Sequence, residues 1–237
     1  MIRVVGGDEM TKTNVCVLLA CLLMAGSAVA SPTVSVKRID GYYAGDGGEF
    51  TLTPNAELAA LLGSSAKFES FCLEKNERVA SGTTYRVVVN DEALLGGGND
   101  GDVGDEGGDP LCDMTAYLYT EFRAGTLTGY DYTVGAGREA SAQALQNVIW
   151  YLEDEIDTWT WADGSLEDIF RDAAEQAIAS GEWEGVGHVC VLNLYDRSTG
   201  EYKQDMLGLC AVPAPGAIVL GALGSCVVGF LRRRHML

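Results

Sequence analysis

Ser141-Ala-Gln-Ala-Leu-Gln146-Asn-Val-Ile-Trp150-Tyr-Leu152 is the stretch on which the reading of this chain turns. Ala142, Leu145, Ile149, Leu152 and Ile156 recur at steps of three and four, which predicts a helix with one apolar stripe and Gln146 beside it. Far upstream stands Phe71-Cys72-Leu73-Glu74. Here Phe68, Ser70, Cys72 and Glu74 alternate with Glu69, Phe71 and Leu73, and turn formers bound the run, so a strand is expected with Cys72 facing one side of a sheet. The helix offers an amide and the strand a thiol. In most proteins such a Cys is a small buried hydrophobe and such a Gln a polar bystander on a helix flank.

Further strands are expected at 49–53, 84–90, 115–122, 130–134, 188–195 and 202–212, with the Cys72 strand running over 67–74. Two helices interrupt them. One carries Gln146; the other covers 165–180, opening with the capping pair Ser165 and Asp168 and ending at Gly181. Strands on both sides of a helical pair give an α+β class, mainly an antiparallel β sandwich or barrel with the helical pair inserted.

The ends add a signal helix and a transmembrane helix to that expectation. Lys12 gives a basic start, 15–25 is apolar, and Ala28-Val29-Ala30 is a small-residue cleavage site before Ser31, so 1–30 reads as a secretory signal peptide. Leu18-Leu19-Ala20-Cys21 loosely fits a lipobox, but using it would cut the apolar core in half. At the other end, Val212-Pro213-Ala214-Pro215 precedes an apolar run over 216–231 and then Arg232-Arg233-Arg234. That run is short against the roughly 20 residues a bilayer asks for, and its basic end would stay on the cytoplasmic side. A plain tail anchor is the simplest reading.

Between the ends, 31–211 holds 11 basic and 32 acidic residues. Such a surface repels nucleic acid and anionic lipid, and no nucleic-acid partner is expected. It suits basic partners or a cation-rich matrix, although solubility is the commoner reason for it. The Gly- and Asp-rich run over 96–109 has carboxylates for calcium but lacks the spacing of an EF-hand, so it reads as a solvated insertion. We place no metal and no cofactor.

Two resemblances bear on these residues. Phe71-Cys72 followed much later by Gln146-Asn147-Val148-Ile149-Trp150 resembles the paired signature of the thioester domains of bacterial surface proteins, an aromatic-Cys strand motif and a Gln-x-x-Ile-Trp helix motif. The resemblance implies that the Cys72 sulfur attacks the Gln146 side-chain carbonyl, ammonia leaves and an internal thioester remains. It also implies a β barrel or sandwich combined with a helical subdomain, here over 31–211. The second is the tail, 212–237. Its order of Pro-x-Pro, short apolar run and Arg cluster resembles the PEP-CTERM sorting signal, with Ala214 where that family usually has Glu. What this implies is an exported protein held in the inner membrane by its C-terminal helix until an exosortase removes the tail, and found afterwards at the cell surface or outside the cell.

A thioester is an acyl donor. An amine or hydroxyl of a protein or glycan at the cell exterior would attack the former Gln146 carbonyl and free Cys72, once per molecule, which is attachment and not enzymatic turnover. Water competes, and Phe71 and Trp150 flank the reacting residues as candidate shields, although aromatic residues in such elements more often simply fill a core. A lysine is only about one part in a thousand uncharged at neutral pH, so a base would help. His188 opens an expected strand and reads as structural, His235 lies in the tail, and Glu74 and Glu153 stand close in sequence to the pair. Cys190 and Cys210 fall on neighbouring expected strands and could pair, which export permits; a Cys72–Cys112 disulfide is the rival to the thioester. The alternative function is an unreactive structural component of an extracellular polysaccharide matrix, hardened by a cross-link. A hydrolase has little support, because no Ser, His and Asp grouping stands out.

Overall fold

A computed structural model describes residues 30–94 and 108–211. The chain divides into two units, Met1–Ala30 and Ser31–Leu237, and every strand and helix named below belongs to the second. The expected signal peptide and tail helix lie outside the described residues, as does most of the Gly- and Asp-rich run. Among the described residues no helix is long and apolar enough to cross a membrane.

Six strands form one antiparallel sheet: β1 (Thr33–Lys37), β2 (Phe50–Pro54), β3 (Phe68–Ser70), β4 (Thr83–Asn90), β7 (Val189–Tyr195) and β8 (Tyr202–Leu209). Their order is β3-β2-β1-β4-β7-β8. A small separate pair joins β5 (Glu92–Ala93) to β6 (Asp109–Pro110). The sheet curls until its two edges meet. Just past β3 the chain leaves β2 and turns to β8: Leu207 N–H donates to the Phe71 carbonyl at 3.2 Å, Leu73 N–H donates to the Asp205 carbonyl at 2.9 Å, and Cys72 bridges Met206. This closure pairs part of an edge that would otherwise expose free backbone groups. Cys72 therefore sits in the seam.

The helices α1 (Ala56–Leu62), α2 (Asp113–Ala124), α3 (Ala136–Leu152) and α4 (Leu166–Ser180) account for the rest. Helix α4 starts at the Ser165 cap, whose side chain accepts from Asp168 N–H, and stops at Gly181 with φ 73°, as the capping signals predict. From Ser141 to Trp150 helix α3 is buried on most sides, with Ala142, Leu145, Gln146, Val148 and Ile149 all inaccessible. It packs against α2 and α4, so three helices cover the sheet where the sequence predicts a pair.

Two expected strands are absent. The run 115–122 is rich in β-branched and aromatic residues, yet it forms helix α2, because Thr115, Leu118, Tyr119 and Phe122 fall on one helical face and all are buried. The run 130–134 is irregular, and its two tyrosines fill the helical core against Phe122 and Phe170. Strands β1, β5 and β6 and helices α1 and α2 are not among the expected elements. Packing decided between periods that short apolar runs leave ambiguous.

Two cores result. Phe71 and Leu73 belong to the one beneath the helices, whereas Cys72 belongs to the other, inside the curl of the sheet, with Phe50, Val79 and Met206. The expected alternation at Cys72 is thus present, carried by the seam and not by a long strand.

Candidate functional site

Gln146 lies nearly two turns before the end of α3, and its carboxamide meets the seam. Cys72 N–H donates to Gln146 Oε1 at 3.0 Å, and Gln146 Nε2 donates to the Cys72 carbonyl at 2.8 Å. Both hydrogen bonds serve one residue, so the amide carbon is held alongside the backbone that bears the thiol. Neither side chain reaches solvent: Gln146 is 0% and Cys72 3% exposed. Burial pushes the Cys72 thiol far up from its usual range, and the nearby Arg38 charge only partly offsets this, so free Cys72 is a neutral thiol. Cys72 and Cys112 are both free, and the disulfide is Cys190–Cys210, with Cα atoms 5.9 Å apart.

A cavity of about 360 Å³ opens in front of Cys72. Phe50, Val79 and Trp150 give its apolar wall, and Arg38, Asp46, Lys75, Glu77 and Arg78 its charged one. Trp150 and Cys72 thus line the same cavity. Phe71 faces the other way, into the helical core, with its ring edge-on to Phe122 at 5.0 Å.

The loop 44–48 packs against the same face of α3. Ala44 and Gly48 bridge each other, and a Cβ built on Gly47 would fall 2.6 Å from Trp150 Cζ2 and 2.9 Å from Gln146 Cδ. A Cβ built on Gly48 would fall 3.0 Å from the Ala142 carbonyl. Only residues without side chains let this loop approach the carboxamide. Glu49, at φ 39°, anchors it: its buried carboxylate pairs with Arg138 of α3 and accepts from Tyr130 Oη at 2.7 Å. Arg138 also stacks on Tyr42 at 4.0 Å, and Gly41 N–H donates to Glu139 Oε1 at 2.8 Å. Sequence reading missed this loop. The signal was the Gly45-Asp46-Gly47-Gly48 run, where dense glycine marks a close backbone approach.

No family model, no curated protein and no solved structure matches this chain.

The carboxylates near the pair in sequence face elsewhere. Glu74 lies in a buried acidic group with Glu155 and Asp205, and its carboxyl is raised to about 9 by burial first and then by the charge and hydrogen bond of Glu155. Glu153 is raised to about 7 by burial and accepts from Cys112 N–H at 3.4 Å, at the start of α2. Neither lines the cavity, where Asp46 and Glu77 supply the carboxylates. His188 is exposed in the turn before β7 and also lies off the cavity. His235 is outside the described residues. No group of three or more His, Cys, Asp or Glu residues able to hold a metal occurs among the described residues.

A second glutamine repeats the backbone pairing. Glu74 N–H donates to Gln204 Oε1 at 3.1 Å, and Gln204 Nε2 donates to the Glu74 carbonyl at 2.9 Å. The segment after the seam is therefore held by two carboxamides, one from α3 and one from β8.

Proposed function

We propose that this is an exported surface or matrix protein that attaches covalently to a partner through an internal thioester between Cys72 and Gln146. The observation that supports it is the buried carboxamide of Gln146 docked on the backbone of Cys72, beside a cavity that Cys72 lines. In forming the bond, the Cys72 sulfur adds to the Gln146 Cδ, the C–N bond breaks and ammonia leaves with the thiol proton. In using it, a partner amine or hydroxyl takes the acyl group and sulfur recovers a proton. Trp150 and the glycine loop would keep bulk water from the bond until the partner enters. The protein acts once and is not an enzyme. Export by the N-terminal signal and release from the inner membrane by an exosortase belong to the same proposal.

A second reading has its own support. Gln204 holds Glu74 as Gln146 holds Cys72, and no thiol is involved there. On this reading Gln146 only pins the seam, the Cys190–Cys210 disulfide hardens the sheet, and the protein is an unreactive component of an extracellular polysaccharide matrix.

Intact mass under non-reducing conditions separates the two. The thioester reading expects wild type to be lighter than its sequence by one ammonia, Cys72→Ala and Gln146→Ala to lack that deficit, and methylamine to add at Gln146 in wild type alone. A full-mass wild type with free Cys72 leaves the structural reading.

A further inference from the structure

The cavity in front of Cys72 is basic in an acidic protein. The chain carries a formal net charge of −18, and of its basic residues Arg138, Arg171 and Lys203 are engaged in ion pairs. Arg38, Lys75 and Arg78 all line this one cavity, and none of them makes an ion pair among the described residues. Arg38 is held in place, its guanidinium 4.5 Å above the Tyr43 ring and 5.5 Å from that of Phe50. Three cations against Asp46 and Glu77 leave the wall net positive. Charges more than about 8 Å away are largely screened at physiological salt, so this wall governs what enters, and not the distant acidic surface.

Trp150 lines the cavity at 5% exposure, so its indole resonance reports on what enters. Three cations against two carboxylates call for an anion. A protonated amine meets like charge here. The volume, about 360 Å³, is at the small end of ligand sites and suits one ring-sized unit.

We propose that the cavity receives a carboxylate-bearing, hydroxyl-bearing unit, a uronic acid residue of an acidic polysaccharide, and that a hydroxyl of this unit takes the Gln146 acyl group. A single ring carries both the anion and the nucleophile, whereas a protein partner would have to insert two side chains together. The acyl-transfer half rests on the thioester reading. In the step, the hydroxyl oxygen bonds to Cδ of residue 146, the C–S bond breaks, and the hydroxyl proton ends on the Cys72 sulfur. An ester and a thiol result with no change of oxidation state. The raised Cys72 thiol suits that ending, since the freed sulfur stays protonated and does not re-attack the ester.

Sodium glucuronate, glucose and methylamine, offered separately to the full-length protein, are the probes. Mass spectrometry of wild type at 0.15 M salt is expected to give the glucuronate adduct at residue 146 at least tenfold faster than the glucose adduct. In the double variant Lys75→Gln, Arg78→Gln the advantage is expected to vanish while the ammonia deficit remains. Equal rates for glucuronate and glucose overturn the proposal, as does a faster adduct with methylamine or with an acidic serine peptide. Binding is read independently in Cys72→Ala, which has no thioester. There glucuronate is expected to shift the Trp150 indole N–H resonance saturably, and glucose is not. No shift means that there is no anion site. A shift in a protein whose wild type lacks the ammonia deficit keeps the anion site and overturns the acyl transfer.

Discussion

Gly47 rests against the Gln146 carboxamide so closely that a Cβ there would lie 2.9 Å from both Cδ and Oε1. The same atom would meet the Trp150 ring at 2.6 Å. Gly47→Ala must therefore displace the loop, the indole or the amide. We expect a loss of about 1–3 kcal/mol, as overpacking a tight core costs, read as a lower Tm. If the thioester forms, its yield should fall in the same variant, seen as a larger fraction of molecules that keep their ammonia. Unchanged Tm and mass would show that the contact is slack.

Gln146→Leu tests the seam without reference to any cross-link. The change leaves the Cys72 N–H and carbonyl without the side-chain partners they now have. An unsatisfied buried group costs about 1–3 kcal/mol, so urea unfolding should show a drop of at least that size. Gln204→Leu strips Glu74 in the same way and should cost a similar amount. A neutral Gln146→Leu would mean that the seam is held by strand pairing alone.

Stability should fall as pH rises from about 5 to 9. The Glu74 carboxyl titrates near 9 in the fold against an ordinary 4.5, through burial and then Glu155. Glu153 moves to about 7 and Asp205 to about 6, with burial the leading cause of each. In that window the folded protein holds more protons than the unfolded chain, so stability present below the unfolded values is lost as pH climbs. Each kcal/mol lost lowers Tm by about 2–4 °C in a domain of this size. Glu74→Gln should flatten the upper part of the curve, and a Tm that rises toward pH 9 would contradict the assignment.

Arg138→Met strands the Glu49 carboxylate, which is 0% exposed. Removing one member of a buried pair costs about 3–5 kcal/mol, chiefly because the other charge is left behind. Burial already raises Glu49, against the lowering by Arg138 and Tyr130, so the variant should suffer most at high pH, where Glu49 must ionise alone. Adding Glu49→Gln should recover part of the loss, as thermal melts at pH 5 and 8 would reveal.

Reduction of Cys190–Cys210 opens a loop with a sequence separation of 20. The chain-entropy model assigns such a loop about 3 kcal/mol. Wild type in dithiothreitol and the Cys190→Ala, Cys210→Ala variant should both melt lower by a similar amount. A melt indifferent to reductant would show that β7 and β8 are held by their ladder alone.

The local features were legible along the chain. The spacing of Ala142, Leu145 and Ile149 marks the central helix, and Ser165 and Gly181 mark both ends of α4, because caps and stripes depend on neighbours within a turn or two. The alternation around Cys72 was also legible, and so was the neighbouring placement of Cys190 and Cys210. Tertiary structure decided the rest. Helix α2 overrode a strand-like composition, since only a helix buries Thr115, Leu118, Tyr119 and Phe122 together. The seam that bends Cys72 from β2 to β8, the glycine loop on Gln146, the Glu49–Arg138 anchor and the three cations around one cavity join residues that are remote along the chain. Such meetings depend on how the sheet curls, and no local period encodes the curl.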